Sequence, residues 1–130
     1  MRRFAAFAAP LDAGGRTPFD AGGRAPFDAA KLAEVKHLTI GLESGFSIQT
    51  PGGPRRTVNI DPGYVTLSKV VLATTKDYSH RVYLRDGIFA EVTLYYKDGA
   101  FRPHVFTYRD YVEPEAIRFL TAVRGLLKGK

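Results

Sequence analysis

The chain has 130 residues, 45% hydrophobic and 25% charged, the composition of an ordinary globular domain with one modest core. Cysteine is absent, which excludes disulfides and thiolate metal sites, and no apolar run approaches the roughly 20 residues that span a bilayer. A net charge of +6 and a pI near 9.7 favour polyanionic partners such as nucleotides, nucleic acids or phosphorylated metabolites, although such a charge also serves solubility alone.

The first apolar stretch, Phe4 to Ala9, follows Arg2 and Arg3 and is broken by Pro10. It is shorter than a signal-peptide core, so the expected location is the cytoplasm. Next come three successive eight-residue copies, PLDAGGRT (10–17), PFDAGGRA (18–25) and PFDAAKLA (26–33). Eight residues cannot form a solenoid unit, and the glycines and prolines oppose regular structure. Residues 10–27 therefore read as a disordered insertion made by tandem duplication in a loop. Residues 28–130 read as one α+β domain.

Asp28 is placed to cap a helix running to about Leu42, with Leu32, Val35, Leu38 (or Thr39) and Leu42 on its apolar stripe and Lys31, Glu34 and Lys36 off it. Ser44 to Thr50 reads as a short strand, PGGPRR (51–56) as a turn, and Thr57 to Ile60 as a strand ended by Asp61-Pro62-Gly63. Val65 to Ala73 fits a short buried helix better than a strand. His80 to Leu84 is a strand that Arg85-Asp86-Gly87 turns into a long one, Ile88 to Tyr96, in which Ile88, Ala90, Val92 and Leu94 alternate with Phe89, Glu91, Thr93 and Tyr95. Asp98-Gly99 makes a second hairpin turn into Phe101 to Phe106, where Pro103 implies a sheet edge. Glu113-Pro114 opens a C-terminal amphipathic helix with Ile117, Leu120, Val123 and Leu127 inward and Arg118, Arg124 and Lys128 toward solvent. The expected fold is α+β, an antiparallel meander packed with two or three helices.

NIDPGY (59–64), LATTKDYSHRVYL (72–84), GIFAEVTLYY (87–96) and TYRDY (107–111) closely resemble the bacterial and archaeal family called domain of unknown function 4416. Arg2-Arg3-Phe4, the run Leu32 to Lys36 and Leu42-Glu43 resemble that family's middle section, with the repeats falling as an insertion between Asp12 and Ala29. The resemblance implies a further strand–helix–strand segment ahead of Arg2, which this sequence lacks. Phe106 stands where the family more often has Trp, Arg109 replaces the usual Pro, and Ile40 a polar residue, commonly Asn. The resemblance brings no established activity. Some members are described as GTP-binding, but the sequence contains no Gly-x-x-x-x-Gly-Lys-Ser/Thr phosphate loop.

The block from Val58 to Leu84 sets Asn59, Asp61, Tyr64, Lys69, Lys76, Asp77, His80, Arg81 and Tyr83 beside two apolar runs. Each desolvated polar group there needs a partner, so the block reads as the lining of a site. Lys76, His80 and Arg81 are suited to a phosphate or carboxylate. A strand covering His80 would separate His80 from Arg81, so the cations converge only if the strand starts later. Alternatively Arg81 forms a structural ion pair with Asp61 or Glu91. Asp61 either ends a strand as a turn or helix cap, the commoner role, or acts as a base or metal ligand. Glu91 either faces water, the commoner case on a sheet, or lines a cavity with Phe89 and Thr93. His37, His80 and His104 lack zinc-ligand spacing, so no dedicated metal site is expected. A magnesium ion carried by a nucleotide would fall to Asp61 or Glu91.

The candidate ligand-binding residues are thus Asn59, Asp61, Tyr64, Lys76, His80, Arg81, Tyr83 and Glu91. The leading expectation is a phosphate-bearing ligand, a nucleotide or RNA, read by Arg55, Arg56, Lys69, Lys76 and Arg81 with Tyr64 and Tyr83 stacking. The alternatives are an enzyme using Asp61 and Glu91 with Lys76, His80 and Arg81, and a structural or partner-binding domain. A carboxylate within hydrogen-bond reach of His80 or Lys76 would favour the enzyme. Because loop length costs little free energy, deleting residues 18–25 should leave the melting temperature within about 1 °C of the parent's. Calorimetry checks this, and unfolding on deletion would mean that the repeats pack.

Overall fold

A computed structural model of the chain describes residues 3–5 and 28–128. The repeats through Phe27 and the junctions proposed within them lie outside these residues. Helix α1 covers Leu32–Gly45 and helix α2 Pro114–Leu127. The strands are β1 (Ser47–Thr50), β2 (Gly53–Arg56), β3 (Gly63–Val65), β4 (Lys69–Thr74), β5 (Arg81–Arg85), β6 (Ile88–Lys97) and β7 (Ala100–Pro103). β1 and β2 form a separate antiparallel ribbon. The main sheet has the order β3-β4-β6-β5, with β7 also antiparallel to β6. The fold is α+β, as expected.

The described residues form two compact units. One comprises Ala30–Gly63 and Leu72–Glu91; the other comprises Tyr64–Val71, 92–128, and the described residues ahead of Ala30.

In the first unit, a 3-10 turn, Ala29–Lys31, precedes α1, and the N-cap position is Lys31 rather than Asp28. The larger departure is the rotation of the helix. Its buried face is Leu32, Ala33, Lys36, Thr39 and Glu43, whereas Leu38 and Leu42 are exposed. The reason lies in the segment following β2. Thr57 to Ile60 forms no ladder, contrary to the expected strand, so its backbone groups depend on side chains. Glu43 Oε2 accepts from the Ile60 N–H at 2.7 Å, and Lys36 Nζ donates to the Ile60 carbonyl at 3.3 Å. Glu43 Oε1 also takes Arg56 Nη1 at 3.1 Å, and the Thr57 hydroxyl donates to the Phe46 carbonyl. Only Pro51 and Gly52 remain as the turn of PGGPRR, because Gly53 to Arg56 pair with β1.

Asp86 and Gly87, at φ 53° and 78°, close the β5–β6 hairpin through the left-handed conformations that a two-residue turn of this hand requires. α1 lies against it, with Glu34 paired to Arg85 and His37 Nε2 donating to the Asp86 carbonyl at 2.9 Å.

In the second unit, the helix expected over Val65 to Ala73 is replaced by a turn and a strand. The Thr66 hydroxyl accepts from the N–H groups of Ser68 and Lys69, both at 3.1 Å, and folds the chain back between β3 and β4. Val70 and Val71 are then buried on opposite sides of β4, an arrangement that suits β-branched side chains. Asp98 and Gly99 repeat the left-handed pair between β6 and β7. β7 ends at Pro103 instead of Phe106, because His104 to Thr107 turns and returns to β6 by side chains. His104 Nε2 donates to the Val92 carbonyl, and the Thr107 hydroxyl to the Thr93 carbonyl at 2.7 Å. In β6 the alternation fails at Val92, which is exposed, while Glu91, Thr93 and Leu94 are buried. α2 buries Ala116 and Leu120, and Leu127 is exposed. Arg124 does not simply face solvent: its guanidinium lies 3.4 Å from the Tyr96 ring centroid and its Nε donates to the Leu67 carbonyl at 2.8 Å.

The rotated face of α1 gives an inverted mutational prediction. Glu43→Ala strands a buried N–H and should cost about 2–4 kcal/mol, whereas Leu42→Ala, at an exposed helix position, should cost less than about 0.5 kcal/mol. Urea unfolding of the two variants checks the order.

Candidate functional site

β5 starts at Arg81, one residue after His80. The Arg81 N–H donates to the Tyr78 carbonyl at 3.0 Å, a turn that frees His80 from strand alternation. The later start that convergence required is therefore present. A register shift between Tyr83 and Arg85 completes the arrangement. Arg85 opposes Ile88, but beyond the irregularity Tyr83 opposes Phe89 and Arg81 opposes Glu91. An unbroken two-residue hairpin would put Val92 opposite Arg81, so the extra residue is what brings the charges face to face.

Glu91 Oε2 accepts from His80 Nε2 at 2.7 Å and from Arg81 Nε at 3.3 Å. Arg81 Nη1 donates to the Lys76 carbonyl at 3.1 Å, and its Cζ lies 4.6 Å from the Tyr78 ring centroid. The Tyr78 and His80 rings stack with centroids 6.3 Å apart and planes 6° apart. The side chains of Arg81 and Glu91 are 3% and 7% exposed and that of His80 is 15% exposed. Glu91 thus occupies a lined interior rather than the water-facing position that is commoner on a sheet. Chemically this is a carboxylate holding an imidazole and a guanidinium, in a space where neither ion is stable alone.

The other expected residues do not join it. Of the two ion partners open to Arg81, Asp61 and Glu91, the structure pairs it with Glu91; Asp61 Oδ1 accepts from Asn59 Nδ2 at 3.4 Å. Lys76 contributes its backbone carbonyl to the network and keeps an exposed side chain. Tyr83 is exposed, accepts from the Gly87 N–H at 3.2 Å and packs edge-on against Phe89 with centroids 5.2 Å apart. Tyr64 belongs to the other unit, where burial pushes its phenol above the ordinary range. Among the described residues, no group of three or more His, Asp or Glu side chains is placed to hold a metal ion, and no helix is long and apolar enough to cross a membrane.

An open cavity of about 480 Å³ lies along the exit of β2, lined by Pro54, Arg55, Arg56, Thr57, Val58 and Asn59. Arg56 is held there by fully buried Glu43 and still leaves 62% of its side chain exposed. Sequence reasoning missed Glu43 and Lys36 as the groups that fix this wall. The signal was available: Lys36, Thr39 and Glu43 recur at the same helical spacing as the leucines.

Glu91→Gln removes the charge that compensates Arg81 and should destabilise the protein by about 3–5 kcal/mol. Tyr83→Phe removes one exposed hydrogen bond and should cost no more than about 1 kcal/mol. Denaturant midpoints of the two variants measure the contrast.

No curated protein and no solved structure matches the chain. The family described as Domain of unknown function (DUF4416) matches residues 23–126, which cover all of the described helices and strands except the last residue of α2. With most of its length under that match, the chain belongs to the DUF4416 family.

Proposed function

We propose that the protein binds a phosphate-bearing ligand at the open cleft beside β2, with Arg55 and Arg56 as its cationic readers and Thr57 and Asn59 as neutral hydrogen-bonding groups. The observation that carries this reading is the cleft itself, with two arginines among its six lining residues. Glu43 takes one nitrogen of Arg56 and fixes the direction of the guanidinium, so less conformational freedom is lost when an anion arrives. The chain's net charge of +6 draws anions toward the protein at long range. Asn59 lines the cleft as a further polar group.

Arg55→Gln should weaken binding of a fluorescent guanine nucleotide, or of a short labelled single-stranded RNA, by about tenfold or more, with an unchanged melting temperature. Fluorescence anisotropy reads the affinity. Salt separates the two ligands: RNA affinity should fall steeply with ionic strength and nucleotide affinity only mildly. Binding of neither probe, or unaltered binding by the variant, would refute the reading.

A second reading is an enzyme using His80 and Glu91 as an acid–base pair, favoured by their 2.7 Å contact. It carries less weight because the same Glu91 oxygen also holds Arg81 and both side chains are turned inward. Turnover of phosphate esters that disappears in a folded His80→Gln variant would reverse this order.

A further inference from the structure

The two arginines of the cleft do not face the same way. β2 pairs with β1 alone, Ile48 opposite Arg55 and Ser47 opposite Arg56, and its other edge has no strand partner among the described residues. Adjacent residues of a strand project to opposite faces, so Arg55 and Arg56 leave the ribbon on different sides. Both line the cleft, which therefore extends around the free edge of β2. Arg56 is not free to swing across to Arg55, because its Nη1 donates to fully buried Glu43 Oε1 at 3.1 Å. Arg55 is exposed and has no ion partner among the described residues.

We propose that the ligand of this site is a single-stranded polynucleotide rather than a mononucleotide, with Arg55 and Arg56 taking successive phosphates as the backbone passes over the edge of β2. This rests on the reading of the cleft as a phosphate site. A guanidinium fork grips two oxygens of one phosphate, so two forks that face different ways call for two phosphates held apart. A strand presents them along its length, one per nucleotide, whereas a mononucleotide gathers its phosphates at one end. A free sheet edge also invites a peptide strand, but Pro54 has no N–H to offer one and the flanking arginines discourage the pairing. At the far end of the cleft Asn59 donates to the Asp61 carboxylate, which repels phosphate and confines the charged contacts to the arginine end.

Fluorescence anisotropy with labelled oligouridylates of one, two, four and eight nucleotides tests this on the whole chain. Affinity should rise about tenfold or more from one nucleotide to four. For the four-nucleotide strand, Arg55→Gln and Arg56→Gln should each lower the slope of log affinity against log salt by about 0.7, and the double variant by about twice that. Arg56→Lys keeps a cation against Glu43 and should still weaken binding by loss of the fork, which guards against an Arg56→Gln variant that folds poorly. Oligothymidylates of the same lengths distinguish DNA from RNA as the source of the strand. Uridine monophosphate or tripolyphosphate binding as tightly as the four-nucleotide strand, or a double variant with the salt slope of a single one, would overturn the strand assignment and leave a phosphate cleft. Binding of none of these probes would overturn both.

Discussion

A buried carboxylate must be matched by charge and hydrogen bonds, and Glu91 of β6 meets that demand with Arg81 and His80. Much of the local structure serves the match. The turn before β5 releases His80 from alternation, and the shift near Leu84 moves the ladder by one residue to set Arg81 opposite Glu91. The Lys76 carbonyl and the Tyr78 ring take the remaining faces of the guanidinium. Such a network specifies register more than it adds stability, because a one-residue slip would leave both ions buried and unpaired.

The same logic acts again on α1. Glu43 and Lys36 hold the N–H and the carbonyl of Ile60, in a segment with no strand partner of its own. Orienting the helix by these two contacts leaves Leu38 and Leu42 uncovered and fixes Arg56 at the cleft. The proposed ligand cleft is thus a consequence of this helix rotation. Burying Glu43 with its partners outweighs burying the leucines, since a stranded N–H and an unmatched carboxylate cost more than two half-exposed apolar side chains.

Local chemistry was legible in the sequence wherever it acts alone. Asp86-Gly87 and Asp98-Gly99 declared their hairpins, Pro103 its edge, and Glu113-Pro114 the start of α2. Errors arose where a distant partner decides. The stripe Leu32, Val35, Leu38 (or Thr39) and Leu42 is as regular as the buried one, which keeps Leu32 and the alternative Thr39, and the bonds of Lys36 and Glu43 to Ile60 decide between them. Val65 to Ala73 satisfies helical and extended spacing alike until the Thr66 turn is recognised. Arg81 and Glu91 are both legible as candidates, and Asp61 and Glu91 suit Arg81 equally as partners in the sequence. The choice rests on an irregularity in β5 that hydrophobic spacing does not encode.

Arg81 and Glu91 act as one coupled unit holding the β5–β6 register. A double-mutant cycle with Arg81→Met and Glu91→Leu, read by denaturant unfolding, tests it most directly. Glu91→Leu leaves the Arg81 guanidinium without its ion partner, Arg81→Met leaves Glu91 with His80 alone, and the double variant removes both buried charges. The double variant should be more stable than either single variant, with a coupling energy above about 1.5 kcal/mol. Additive losses in the double variant would mean that the two side chains contribute independently, and the account would be wrong.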